Sequence, residues 1–257
     1  MLLVVDIGNT NVVMAMHDGT AWVADWRIYS DQKKTSDEYF VIVERMVSHG
    51  GFSPSDIDRA VICSVVPNLT RSFHKVVKTL SGIEPMMVSH DTAVGLNHDS
   101  IPPELGFDLL ANAVAGHRMF PDETCVILDF GTALTLTTVS DKGDVLGAAI
   151  APGLVTAVNS LFHNTAQIPQ VQLKLPERAV GRDSDEAIRS GIMFGYAGLV
   201  KELISRTEQE LGVPVKVVAT GGLSRTIAPL IGRIDRLEPL HTLEGLRIMA
   251  NAKSQDL

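Results

Sequence analysis

Two aspartates, Asp6 and Asp129, each close an apolar run and are each followed by a glycine bend rich in small polar residues, LLVVDIGNTN in one place and CVILDFGTALT in the other. Gly8 lets the N–H groups of Gly8, Asn9, Thr10 and Asn11 approach an anion with no Cβ in the way, and the Asn and Thr side chains add donors. A carboxylate cannot itself take phosphate; Asp6 is placed to hold Mg²⁺, directly or through water, against phosphate oxygens. The same chemistry applies to Asp129, Gly131, Thr132 and Thr135. A third bend, Thr220, Gly221 and Gly222, follows the apolar run VKVVA, and its glycines admit a flat ring or a ribose close to the backbone at the head of the next helix. Each bend alone also reads as an ordinary turn; two copies behind similar apolar runs favour phosphate binding. Neither GxxxxGK[ST] nor GxGxxG occurs, which sets aside the Walker and Rossmann loops.

The elements that must carry these bends repeat as well. LLVVDIGNTNVVMAM and CVILDFGTALTLTTV lie 123 residues apart, and each leads through alternating apolar positions to a polar turn, HDGT or SDKGD. That is strand, tight bend, returning strand and hairpin, at a spacing that fits duplicated domains rather than a solenoid. AWVADWRIYS reads as a third strand and TSDEYFVIVERMVSHGG as a helix with a Thr/Ser/Asp start and a glycine stop. IDRAVICSVV is a buried strand, NLTRSFHKVVKTLSG a helix, EPMMVS a strand and FDLLANAVAGHRMF a helix. After Pro121, three strands run through GDVLGAAIAP. Helices follow over GLVTAVNSLF and SDEAIRSGIMFGYAGLVKELISRTEQELG, then a strand at VKVVAT and helices over LSRTIAPLIG and TLEGLRIMANAK. Strands alternating with helices predict an α/β fold of two domains, 1–120 and 121–257, each a mostly parallel sheet flanked by helices, packed around a cleft.

Composition sets limits on partners. The chain has 257 residues, 45% of them hydrophobic, and a formal net charge of −8 with Lys and Arg scattered singly, so it can bury real cores and offers no basic stripe to nucleic acid. The first apolar run is stopped by Asp6 and has no basic lead, which predicts neither signal peptide nor membrane span and a cytoplasmic protein. Cys63 and Cys125 lack zinc or redox spacing and read as core residues. Met14, Met16 and Met46 read as core too, Trp22 and Trp26 as packing, and His74, His90, His98, His117 and His163 show no metal-ligand spacing.

With DIGNTN, DFGTALT, AAIAPG and TGG in order, and WRIYS, TSDEY, CSVVPNLT, ELGFDLLANAVAG, TAQIP, GRDSDEAIRSGIMFGYAGLV and HTLEGLR between and after them, the chain resembles a bacterial type III pantothenate kinase from end to end. The resemblance implies two actin-like (ribonuclease H-like) domains with a mixed, mostly parallel sheet in each and a nucleotide cleft between them. It implies transfer of the γ-phosphoryl of ATP to pantothenate, with Mg²⁺ and a monovalent cation, K⁺ or NH₄⁺, in a homodimer whose active site lies near the dimer interface. Asp6, Ile7, Gly8, Asn9, Thr10, Asn11, Val12 and Val13 match the first phosphate loop, Thr132 with Gly131 the second, and Asp129 the residue tied to the monovalent cation. Asp108 matches the catalytic carboxylate, while Gly106, Phe107, Asp108 and Leu109 match the pantothenate-binding stretch. Ser184 stands where the family usually has a Thr that touches pantothenate. By itself Asp108 reads as a helix N-cap or first-turn acid; a carboxylate there can also accept the alcohol proton late in phosphoryl transfer.

Three positions depart from the family pattern: Leu109 replaces an Arg, Thr137 an Asp, and Asp99 a Tyr. Leu109 has no donor fork for a carboxylate or phosphate, so ATP binding follows from the sequence more directly than the identity of the acceptor. Two other readings stand beside the pantothenate kinase: a nucleotide-binding regulatory paralogue without catalysis, and a kinase for another small alcohol.

Overall fold

The computed structural model describes residues 1–163 and 171–253; the TAQIP segment, at 165–169, and the His163 side chain lie outside the described residues. Within them the first half runs β1 (Leu2–Ile7), β2 (Asn11–His17), β3 (Trp22–Tyr29), α1 (Ser36–His49), β4 (Arg59–Ser64), α2 (Pro67–Ser81), β5 (Met86–Met87) and α3 (Phe107–Met119). The second runs β6 (Cys125–Phe130), β7 (Ala133–Val139), β8 (Val145–Pro152), α4 (Leu154–His163), α5 (Ser184–Leu211), β9 (Lys216–Thr220), α6 (Ser224–Ile231), β10 (Arg236–Leu237) and α7 (His241–Lys253).

The internal echo is a structural duplication. The sheets have the orders β3-β2-β1-β4-β5 and β8-β7-β6-β9-β10, so each strand of the first has a counterpart in the second. Burial follows suit: β1 and β6 are buried along their whole length except at Asp6 and Asp129, which are half-buried. Both sheets are mixed in equal measure rather than mostly parallel. The β1–β2, β2–β3, β6–β7 and β7–β8 pairs are antiparallel, and the β1–β4, β4–β5, β6–β9 and β9–β10 pairs are parallel. The reason is the short bend after each aspartate, which can join only antiparallel neighbours, whereas β4 and β9 are reached through helices.

Local signals set the helix ends. Thr35 and Glu38 form a reciprocal capping box at α1, with Thr35 N–H to Glu38 Oε2 at 2.7 Å and Glu38 N–H to Thr35 Oγ1 at 3.3 Å. Pro67 opens α2. Asp183 accepts from Glu186 N–H at 2.8 Å to start α5. The inner face of the first sheet, from Leu3, Val5, Val12, Met14 and Met16, packs on Tyr39, Val43 and Val47 of α1 and Phe73 and Val76 of α2. Burying each such side chain contributes about 1.5–3 kcal/mol.

The chain forms two compact units, residues 1–115 with 242–257, and residues 116–241. The repeat boundary near Pro121 therefore differs from the compact one, because α7 returns to the first unit. There Gly245 lies so close to α3 that a Cβ would stand 1.9 Å from the Ala111 carbonyl oxygen, and Thr242 Oγ1 donates to Asn112 Oδ1 at 2.8 Å. Among the described residues no helix is long and apolar enough to cross a membrane.

Candidate active site

In the first unit, Asp6 sits near the end of β1, in register with Val13 of β2 and Cys63 of β4. Gly8 N–H donates to Asn11 O at 3.0 Å and closes the bend over Asn9 and Thr10. A Cβ on Gly8 would press on Asn11 O at 3.2 Å. Ile7 and Val12 are fully buried core residues, so at this loop they contribute backbone only. The bend is also held from β3's end: Ser30 Oγ donates to Gly8 O at 2.6 Å and Ser30 N–H to Thr10 O at 2.9 Å.

Asp108 lies in the first turn of α3, and its Oδ1 accepts from the Leu109 N–H at 2.9 Å. Gly106 makes room for it, since a Cβ there would stand 2.5 Å from Asp108 Oδ1. Asp108 is thus a first-turn acid rather than the N-cap, and the same carboxylate is open to a catalytic use. Burial pushes the Asp108 carboxyl above the usual aspartate range, opposed by the hydrogen bonds from the Leu109 and Asp108 amides. The buried Cys63 thiol hydrogen-bonds Asp6 and feels the charges of Asp6 and Asp108; with burial as the largest cause, these hold it well above the usual thiol range. Val65 N–H donates to Ile7 O at 3.1 Å, and a Cβ on Gly106 would stand 3.8 Å from Val65 Cγ1, so the strand end that carries Asp6 and the helix start that carries Asp108 are neighbours within the first unit. Cys63 is in the core, as its sequence context predicts, but on the sheet face that carries Asp6.

In the second unit, Asp129 of β6 lies between Thr135 of β7 and Thr220 of β9, all in register. Gly131 N–H donates to Ala133 O at 3.1 Å, a bend one residue shorter than the first. Gly221, at φ +88°, packs on Asp129 so closely that a Cβ would stand 2.6 Å from its Oδ1 and 2.6 Å from Phe130 N. Thr132 O accepts from Gly153 N–H at 2.9 Å and from Thr156 Oγ1 at 2.7 Å. The Thr220–Gly222 bend and the second loop are therefore one cluster. Thr137 is fully buried, and the Thr135 and Thr137 hydroxyls have no hydrogen-bond partner among the described residues.

Ser184 is the first residue of α5 and is exposed. Gly181 folds onto that helix start, where a Cβ would stand 2.3 Å from the Ala187 N. Of the three departures, Leu109 is buried, Thr137 is a core position of β7, and Asp99 is exposed on a 3₁₀ turn capped by Asn97. Sequence reasoning missed Ser30, Cys63, Gly153 and Thr156 as neighbours of the loops. The motifs WRIYS, CSVVPNLT and AAIAPG that contain or adjoin them were visible, but nothing local assigns their contacts.

Duplicated mixed sheets, each with a glycine bend behind a buried strand, define a duplicated actin-like fold. Solved structures with this fold include the ROK hexokinase from Thermus thermophilus (TM-score 0.50, 13% identical, covering 100% of this chain and 99% of that one). Another is the activator of 2-hydroxyisocaproyl-CoA dehydratase from Clostridium difficile with bound ADPNP (TM-score 0.55, 16% identical, 99% and 96% covered). A protein described as a Baf family transcriptional activator from Campylobacter jejuni superposes with a TM-score of 0.60 at 18% identity over 98% of this chain and 99% of that one; at that identity it speaks for the fold alone. Residues 2–206 match the family model for type III pantothenate kinase. Type III pantothenate kinases from Moorella thermoacetica and Roseiflexus sp. strain RS-1 are 38% and 39% identical over 250 residues, 97% of this chain and 98% of each relative. The chain belongs to the type III pantothenate kinase family and is a kinase. The regulatory alternative is not favoured.

Proposed function

We propose that the chain transfers the γ-phosphoryl group of ATP to the terminal hydroxyl of pantothenate, giving 4′-phosphopantothenate, the first step of coenzyme A synthesis. The observation that supports this most is that the Asp6 strand end and the Asp108 helix start meet at Val65, whose N–H donates to Ile7 O at 3.1 Å and whose Cγ1 would lie 3.8 Å from a Gly106 Cβ, because it joins a candidate phosphate-binding bend and a candidate proton acceptor within one unit. Phosphoryl transfer to an alcohol asks the protein for little covalent chemistry: in-line positioning, neutralised phosphate oxygens and a late proton acceptor. The amides of Asn9 to Asn11 and of Thr132 and Ala133 bind phosphate while the Gly8 and Gly131 N–H groups close the bends, Thr220 to Gly222 lie along the adenosine, and Asp108 accepts the alcohol proton. Burial raises Asp108's affinity for that proton.

Gly106 to Leu109 and Ser184 face pantothenate in this reading. Leu109, apolar and buried, leaves the acceptor's carboxylate to other donors. Mg²⁺ fits Asp6, a half-buried carboxylate at the loop, and would neutralise charge on the phosphate oxygens. A monovalent cation fits Asp129, beside which the Thr135 hydroxyl is buried with no partner among the described residues. The chain acts as a homodimer. On α5, Gly191, Gly195 and Gly198 are exposed with open space where a Cβ would stand, and Phe194 among them is 39% exposed. Spacings of four and three put the glycines on one helix face, and Ser184, seven residues before Gly191, heads the same face. Small residues there let a second copy approach closely, with Phe194 as its apolar anchor.

The test is a coupled ADP-release assay with pantothenate, with and without K⁺, and mass detection of phosphopantothenate. Turnover that needs pantothenate supports the reading. ADP release no faster than ATP alone, while MgATP still raises the melting temperature, would refute it, and turnover of another small alcohol in its place would redirect it.

A further inference from the structure

We propose that Ser30 is a positioning residue for phosphoryl transfer: its hydroxyl fixes the peptide plane of the first glycine bend so that the Asn9 N–H is presented to the nucleotide's phosphates. At the second bend Thr156 has a lesser, corresponding part, adding to Gly153 N–H on the Thr132 carbonyl and so helping to orient the Ala133 N–H. The inference rests on the reading of residues 6–13 and 131–132 as phosphate loops.

In a trans peptide the C=O of one residue and the N–H of the next point in opposite directions, and no peptide bond among the described residues is cis. Ser30 Oγ holds the Gly8 carbonyl at 2.6 Å, so the N–H of Asn9, on the same peptide, is turned away from the end of β3. Thr156 Oγ1 and Gly153 N–H hold the Thr132 carbonyl at 2.7 and 2.9 Å, and the Ala133 N–H is turned away from them in the same way. Glycine makes such a bend and leaves its peptide free to rotate, because no Cβ restricts it. A hydroxyl on the carbonyl removes that freedom before the ligand arrives, which lowers the ordering cost of binding.

Ser30 suits this task. It is 6% exposed, so little water competes for Gly8 O, and the distance is at the short end for an O–H···O bond. The corner that carries it is braced from behind: the fully buried Tyr39 of α1 accepts from Asp31 N–H at 2.8 Å and donates to Asp31 O at 2.9 Å through one phenolic oxygen. Force on the bend therefore reaches the core through Ser30, Asp31 and Tyr39. Thr156 is exposed, and water replaces part of what it supplies.

The experiment measures MgATP affinity by calorimetry, and KM for ATP and for pantothenate, in the wild type and in Ser30→Ala, Ser30→Thr and Thr156→Ala. Loss of one buried hydrogen bond that counts only when phosphate is bound raises Kd for MgATP and KM for ATP about tenfold in Ser30→Ala, with KM for pantothenate moving less than about twofold. Ser30→Thr, which keeps the hydroxyl, recovers most of that loss, and Thr156→Ala weakens MgATP about threefold. Folded Ser30→Ala that binds MgATP as well as the wild type overturns the inference, as does a Thr variant no better than Ala. Should Ser30→Ala fail to fold, unchanged MgATP binding by Thr156→Ala overturns it instead. A wild type that binds MgATP but does not phosphorylate pantothenate defeats the functional reading alone, because the affinities still test the role of Ser30; a wild type that binds no MgATP defeats both.

Discussion

Replacing Gly153 by alanine gives the most direct test of the second loop. Gly153 follows β8 and lies against the bend after Asp129; a Cβ there would stand 2.2 Å from Gly131 O and 2.5 Å from Thr132 O. Cβ contacts with backbone do not occur below 3.0 Å, so the loop must retreat by at least 0.8 Å, and backbone on both sides leaves no flexible side chain to yield. Overpacking of this kind costs about 1–3 kcal/mol. Spread over a chain of this size it lowers Tm by about 2–4 °C per kcal/mol. The functional effect is larger than the structural one, because a displacement near 1 Å in a positioning element costs about 100-fold in rate. The expected result is a folded protein, a few degrees less stable, with kcat/KM for ATP down by about two orders of magnitude. The assay is ADP release at varied ATP, paired with a thermal melt monitored by circular dichroism. An alanine variant with kcat/KM for ATP near that of the wild type would refute the placement of the second phosphate loop at Gly131 and Thr132, whatever its Tm.

Asp108→Asn should lower kcat by about 10²–10⁴-fold while MgATP affinity stays near the wild-type value, as read by kinetics and calorimetry; retained turnover excludes Asp108 as the proton acceptor. The same variant should be more stable than the wild type at neutral pH. Burial raises the Asp108 pKa in the folded state, so its contribution to stability is full below the unfolded pKa and is lost as pH rises through the folded one; a difference in urea midpoint that vanishes at low pH and grows toward neutrality checks the sign. Gly195→Arg should turn a dimer into monomers by sedimentation equilibrium without lowering Tm of the monomer, since its Cβ position is open. Neither Cys63 nor Cys125 should react with a thiol reagent in the native protein, because burial holds Cys63 well above the usual thiol range and pushes Cys125 up to about 12; both should react once it is unfolded.

What the sequence determined by itself was local and repeated. The apolar runs ending in Asp6 and Asp129, the glycine bends, the hairpin turns, the Thr35–Glu38 cap and the glycine-stopped helices each encode an element through periodicity and turn chemistry within a few residues. Their recurrence was enough to give the duplication, and the motifs on them were enough to give the family. Two-residue strands such as β5 and β10 carried too little pattern to be delimited. The mixed character of the sheets followed from the bends, yet the alternation of strands and helices pulled the reading toward parallel order.

Tertiary structure alone decided which distant residues share a neighbourhood. Cys63 meets Asp6, Gly106 meets Val65, Gly221 meets Asp129, Gly153 meets Gly131, Ser30 meets Gly8, and α7 returns to α3. None of these pairs is fixed by local propensity. Each arises because a strand end, once in register with its neighbour, delivers its next residue to a place set by the whole sheet, and close packing then admits only a glycine, a thiol or a hydroxyl there.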